Sequence, residues 1–188
     1  MKQKRFKRDQ QGFSLVELII VVAIIGVLAG AASMGINYLV YANDKKAIIE
    51  IDTTISKVRL DDMSKKKDEK PYLYLASDGS AVYMQVSTQA AITSFTPSSD
   101  WKKILASGKK LYYRVKGDPG SYELGDLSGG ARSVIRIGFS KILGSFEEDD
   151  TDGVNKLSYD FLWTMRGTAT GSSIELVPPT GKHFVTIG

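Results

Sequence analysis

Glu17 is a carboxylate inside a run of apolar residues. In "RDQQGFSLVELIIVVAIIGVLAG" (Arg8–Gly30), only Ser14 and Glu17 interrupt the apolar run counted from Phe13, and every residue from Leu18 to Ala32 is apolar or Gly. A lone acidic side chain at the centre of a membrane helix costs roughly 2.5–3.5 kcal/mol, so a carboxylate kept there implies a functional partner. The chemistry available to Glu17 is attraction of a cation in a medium of low dielectric constant.

Two other clusters carry chemistry-bearing side chains. In "EEDDTDG" (Glu147–Gly153), Glu148, Asp150 and Asp152 alternate ahead of a glycine, the way oxygen ligands are spaced in a calcium-binding EF-hand loop. The pattern fails at its twelfth position, where Tyr159 stands in place of a bidentate Glu and Asp160 comes one residue late. The plain alternative is a solvated acidic turn before a strand. In "WKKILASGKKLYYRVK" (Trp101–Lys116), Lys102, Lys103, Lys109, Lys110, Arg114 and Lys116 occur without an acid and are interleaved with Trp101, Tyr112 and Tyr113. Such a composition can grip a phosphate backbone and stack on bases. It also suits a small cap-helix-strand unit with lysines outward and aromatics inward.

Other chemistries lack their parts. With no cysteine, disulfides, thiolate metal sites and cysteine nucleophiles are excluded. The single histidine, His183, cannot build a multi-histidine metal site, and no nucleophile-elbow motif supports a Ser/His/Asp triad around it. No Gly-rich phosphate loop lies between a strand and a helix. The expectation is a protein that is not an enzyme and has no cofactor beyond the calcium candidate.

The net charge of +4 belongs to the first twelve residues, where five cations (Lys2, Lys4, Arg5, Lys7, Arg8) face Asp9 alone. Residues 13–188 carry 20 Lys+Arg against 20 Asp+Glu. The basic character therefore describes a leader and gives no argument for a nucleic-acid binder.

The elements that must position Glu17 begin with residues 13–34. A buried core helix does not fit a run this long and uniformly apolar behind a basic block. A cleaved secretory signal fits the basic start, with Ala29-Gly30-Ala31 as its cleavage site, but leaves Glu17 unexplained. A retained membrane helix fits best. The 22 residues from Phe13 to Met34 span roughly 33 Å as a helix, enough for the hydrocarbon core. The basic block would hold the N-terminus in the cytoplasm.

Gly12-Phe13-Ser14-Leu15-Val16-Glu17-Leu18 resembles the class III signal of type IV pilins and pseudopilins. The resemblance implies cleavage after Gly12 by a prepilin peptidase, methylation of the new N-terminus at Phe13, and retention of the apolar run first as a membrane anchor and later as filament core. It also implies that Glu17 meets the cationic N-terminus of a neighbouring subunit, each charge relieving the burial cost of the other. The alternative for Glu17 is a side chain reaching back to the headgroups. Where many major pilins have a helix-kinking proline, this chain has Met34, with Gly26, Gly30 and Gly35 nearby. Gly26 and Gly30 have the small-xxx-small spacing that lets helices approach closely.

Beyond Gly35 the pattern becomes amphipathic. Ile48, Ile51, Ile55 and Val58 recur at spacings of three, four and three among charged residues, which predicts one apolar stripe on a helix. Lys65-Lys66-Lys67 and Pro71 place its end near residue 67. Tyr72-Leu73-Tyr74-Leu75 and Ala81-Val82-Tyr83-Met84 flank Asp78-Gly79, a two-residue hairpin signal. A short helix is expected from Trp101 to about Ser107, capped by Ser99 or Asp100 and closed by Gly108. Further strands are expected at Leu111–Val115, Val134–Phe139, Leu157–Met165, Ser173–Val177 and His183–Ile187, with 116–130 as a loop.

The expected fold is thus α+β: a long N-terminal helix, transmembrane in its first half, packed on a mainly antiparallel β-sheet head. Its parts would be a basic leader (1–12), the membrane half of the helix (13–34), the amphipathic half (35–67) and a β-rich head (70–188). The tail "LSYDFLWTMRGTATGSSIELVPPTGKHFVTIG" resembles the end of H-type minor pseudopilins, in its strand-turn-strand pattern ending in Gly. Together the resemblances imply a structural subunit, of minor rather than major type, of a type IV pilus or type II secretion-like filament. Its partners would be the prepilin peptidase, other pilin or pseudopilin subunits and the cytoplasmic membrane, which it would cross once with its N-terminus inside before joining an envelope or surface filament. Two alternatives come from other classes: a tip pilin of an uptake system taking DNA through Lys102, Lys103, Lys109, Lys110 and Arg114, and a secreted soluble protein with a conventional signal peptide.

Overall fold

The computed structural model describes residues 14–64, 69–105, 108–126, 132–150, 156–166 and 169–188. Among the described residues, one helix, α1 (Leu15–Ser64), is followed by nine strands: β1 (Tyr72–Ser77), β2 (Val82–Ser87), β3 (Lys102–Leu105), β4 (Leu111–Val115), β5 (Tyr122–Glu123), β6 (Val134–Ile137), β7 (Tyr159–Arg166), β8 (Ala169–Val177) and β9 (Lys182–Thr186). The chain divides into two units, Met1–Val40 and Tyr41–Gly188.

In the first unit the helix is apolar on every side. The segment Leu15–Ala32 is long and apolar enough to cross a membrane, and none of it is buried. Its large aliphatic side chains from Leu15 to Leu28 are between 47% and 76% exposed, which in water would be a sustained cost.

In the second unit the helix changes character. Ile48, Ile51, Ile55 and Val58 are fully buried, as the three-four-three spacing predicts, and join one core with Leu73, Leu75, Leu111, Tyr113, Leu162 and Ile174. Each buried aliphatic side chain contributes about 1.5–3 kcal/mol relative to exposure. The strands form a four-stranded sheet in the order β3-β2-β1-β6 and a five-stranded sheet in the order β5-β4-β7-β8-β9. Every strand pair is antiparallel. The helix stripe and the inward positions of both sheets share this core, so the α+β expectation holds.

Four local expectations need correction. The β1–β2 loop has four residues, because Ser77 pairs with Val82. Only Gly79 has positive φ there, at 81°, whereas a two-residue turn of the Asn/Asp-Gly kind requires it at both central residues. Asp78 closes the longer loop by accepting from the Ser80 hydroxyl and the Ser80 and Ala81 amides, each at 2.8 Å. Those bonds, the hydroxyl first, hold the Asp78 carboxyl down at about 2.

The short helix expected from Trp101 is a strand. Lys102–Leu105 pairs with β2, whose open edge offers ladder hydrogen bonds that outweigh four residues of helix propensity. The expected loop at 116–130 contains the two-residue strand β5, paired with β4. Finally, β6 and β7 begin or end inside their expected ranges, with Phe139 and Leu157 held instead as isolated bridges to Phe146 and Asp149. The expected helix end at residue 67 lies outside the described residues, of which Ser64 is the last in α1.

Candidate functional site

The N-terminal site begins with how α1 starts. The Glu17 amide donates to Ser14 Oγ at 3.2 Å, and the Leu18 amide donates to the Ser14 carbonyl at 3.2 Å. Ser14 is therefore the N-cap and Glu17 the third helical residue, the S-x-x-E arrangement of a capping box. A carboxylate in the first turn is also favoured by the positive end of the helix dipole. Glu17 is exposed, as are the aliphatic residues that follow it. A Cβ built on Gly26 or Gly30 meets nothing within 4 Å, so both glycines present bare backbone at the helix surface. Gly12 and Phe13 lie outside the described residues. The capping role of Ser14 was missed in the sequence reading, although the Ser-x-x-Glu spacing signals it.

The basic stretch does not form one free cationic surface. Lys102 pairs with Glu50, Lys109 with Asp44 at 3.0 Å, Lys110 with Glu123 at 2.8 Å, and Arg114 with Asp160 at 2.8 Å. Lys103 is exposed on β3. The cations are also divided: Lys102 and Lys103 stand on the four-stranded sheet and Arg114 on the five-stranded one. The interleaved aromatics separate in the same way. Tyr113 is buried beside Tyr122 and Tyr159, Tyr112 stacks on Trp163 across the strand pair at 5.8 Å, and Trp101 meets Phe95 edge-on at 5.0 Å.

In the acidic run, alternate residues point opposite ways. Glu148 and Asp150 are exposed while Asp149 between them is 0% exposed. Asp149 accepts from the Tyr159 hydroxyl at 2.6 Å and the Arg136 amide at 2.9 Å, and pairs with Arg132 at 3.0 Å. Burial first, then Asp149, pushes the Tyr159 phenol far above its ordinary pKa. Asp150 pairs with the guanidinium of Arg136 at 2.5 Å, which also donates to the carbonyls of Ala90 and Glu148. Glu148, Asp150, Arg136 and Tyr72 line an open cavity of about 540 Å³. Asp152 lies outside the described residues. Among the described residues, no three His, Cys, Asp or Glu side chains are grouped to hold a metal. The central role of Asp149 was missed; period-two alternation in an extended segment, with one acid facing inward, is the signal that would have found it.

His183 brings a serine and an aspartate together. Its Nε2 lies 3.2 Å from Ser56 Oγ and 3.1 Å from Asp52 Oδ1, both from one face of α1. A relay needs the serine and the carboxylate on opposite ring nitrogens. Here both share one nitrogen, and Nδ1 is buried without a hydrogen-bond partner. The cluster ties β9 to the helix and lacks the geometry of a catalytic triad.

Residues 7–33 match the family described as the prokaryotic N-terminal methylation motif, the signal of the type IV pilin class. No curated protein matches the chain, and no solved structure does. The family of the motif is structural rather than catalytic.

Proposed function

We propose, proceeding from the methylation motif at residues 7–33, that this chain is a structural subunit of minor type in a type IV pilus or type II secretion-like filament. Prepilin peptidase would cut between Gly12 and Phe13 and methylate Phe13. The subunit would then wait in the cytoplasmic membrane, anchored by the first half of α1 with its N-terminus inside. On assembly, Glu17 would meet the cationic Phe13 amine of a neighbour. In a medium of low dielectric constant that pairing offsets part of the burial cost of both charges, so it favours register between subunits rather than stability of one.

The observation that carries this reading is continuity. The helix that begins just after the cleavage motif runs without a break from Leu15 to Ser64. Its early residues are apolar and uncovered, while Ile48 to Val58 are core residues of the head. A secretory signal discarded at Ala31 would remove the first part of an element whose remainder the head core requires. The DNA-uptake reading finds less support, because four of its five proposed contacts already pair with carboxylates.

The test is the N-terminal sequence and mass of the protein from its native host, with and without prepilin peptidase. Methylated Phe13 that disappears without the peptidase supports the proposal. An N-terminus at Met1 or Ala32 in both strains overturns it.

A further inference from the structure

The connection between β2 and β3 is fourteen residues long, 88–101, and has no regular structure. Irregular connections of that length inside a compact domain are uncommon and are often functional. This one is fastened at several points. The Tyr74 hydroxyl donates to the Gln89 carbonyl at 2.6 Å, and Arg136 donates to the Ala90 carbonyl at 2.5 Å. Ile92, Phe95 and Trp101 pack on Tyr74, Ala76 and Val134, a small second core on the outer face of the four-stranded sheet. Phe95 lies 4.8 Å from Tyr83 and edge-on to Trp101. Phe95 thus stands between the Tyr83 ring and the Trp101 indole.

Above this second core the connection leaves an open cleft of about 360 Å³, within the range of small-molecule sites. Its lining residues include Trp101 and Ile92, the carboxamide residues Gln85 and Gln89, Asp100, and Thr93 with its hydroxyl-bearing neighbours. Among the described residues, no lysine or arginine lines it. A site without a cation is poorly suited to phosphate, sulfate or nucleic acid. Its one carboxylate offers little charge to offset a divalent cation, and among the described residues no three His, Cys, Asp or Glu side chains are grouped to hold one. Carboxamides both donate and accept, and so match neighbouring hydroxyl groups on a ligand. An indole offers an apolar face with a polar edge. Those two features together select a ligand rich in hydroxyls with one apolar C–H face.

From this lining we infer that the cleft binds neutral saccharide, with Trp101 as the apolar platform and Gln85 and Asp100 as hydrogen-bonding groups. Gln85 is well placed for specificity, because it stands on β2 opposite Tyr74 and so on the rigid sheet beneath the loop. The inference is independent of how the N-terminus is processed.

The test uses the full chain in lipid nanodiscs, avoiding detergents with sugar headgroups that would compete. The probes are immobilised neutral oligosaccharides of hexose and N-acetylhexosamine units, with a sialylated and sulfated set for comparison. The expected result is retention of neutral probes, weakened at least tenfold by Gln85→Ala and by Asp100→Ala. Neither substitution touches the Phe95–Trp101 contact, and unchanged circular dichroism would show that the head stays folded. Displacement by soluble disaccharide would assign a free sugar as ligand. Displacement by polymer alone would assign a surface polysaccharide; both support the inference. Absence of neutral binding, retention of acidic probes alone, or binding unchanged in both variants would overturn it.

Discussion

The amide of Glu17 donates to Ser14 Oγ at 3.2 Å, so the acidic residue of the methylation motif occupies the third position of the helix that Ser14 caps. This relationship separates two properties of Glu17 that lie in one side chain, its place in the helix start and its charge. Glutamine serves a capping box as well as glutamate does. Glu17→Gln is therefore expected to leave membrane insertion and cleavage after Gly12 intact while subunits fail to enter filaments. Fractionation of membrane and sheared filaments, with immunoblotting, checks it. Ser14→Ala should act the other way, loosening the first turn by about 1 kcal/mol without removing the charge. Faster amide exchange at Glu17 would report that.

The stripe of α1 in the head core should be as sensitive as its burial implies. Ile55 is 0% exposed, and Ile55→Ala is expected to destabilise the head by about 2–5 kcal/mol. Ile25 is 60% exposed, so Ile25→Ala should leave head stability unchanged within about 0.5 kcal/mol. Urea unfolding followed by tryptophan fluorescence, from Trp101 and Trp163, distinguishes the two.

Asp149 should prove a structural residue despite lying in an acidic run. Removing it leaves the buried Tyr159 hydroxyl without its acceptor and Arg132 without its paired carboxylate. Loss of one partner of a buried pair costs about 3–5 kcal/mol. Asp149→Ala is expected to fall in that range, whereas Glu148→Ala, at an exposed position, should change stability little. Urea midpoints of the two variants provide the comparison.

Alkaline pH should destabilise the head through its buried tyrosines. Burial pushes the Tyr74 phenol up to about 12, and burial also raises Tyr113 and Tyr159. These groups keep their protons longer folded than unfolded. Their stabilising contribution is therefore complete below the unfolded value of about 10 and declines as pH rises through the folded values. Stability measured by denaturant should be flat from neutral pH to about 10 and fall between about 10 and 12, with tyrosinate absorbance appearing together with loss of structure. Phenolate absorbance rising fully before unfolding would contradict this.

Turn backbone geometry gives one more sharp case. Gly181, at φ 63°, is the last residue of the β8–β9 turn, and a Cβ added there would collide with the Gly144 carbonyl oxygen. Both the left-handed conformation and the contact disfavour any side chain. Gly181→Ala is expected to cost at least about 1–2 kcal/mol, read as a lowered thermal midpoint.

The sequence by itself determined the features that are local or periodic. The apolar run, its leader and the Gly12-Phe13 to Glu17 spacing are contiguous, so they specify a membrane-competent helix start without reference to anything distant. The stripe from Ile48 to Val58 repeats with the helix period, and the strand expected at Leu111–Val115 is β4, in which Leu111 and Tyr113 are buried. Tertiary structure decided what depends on partners far along the chain. Lys102–Leu105 became a strand because β2 offered an edge, and the apparent cationic patch vanished because Glu50, Asp44, Glu123 and Asp160 arrive from other elements. Asp149 took its place in the core because Tyr159 and Arg132 converge on it. The physical reason is the same in each case. Propensity and periodicity act over a few residues, whereas charge neutralisation, ladder pairing and desolvation depend on which distant groups the fold brings within hydrogen-bond reach.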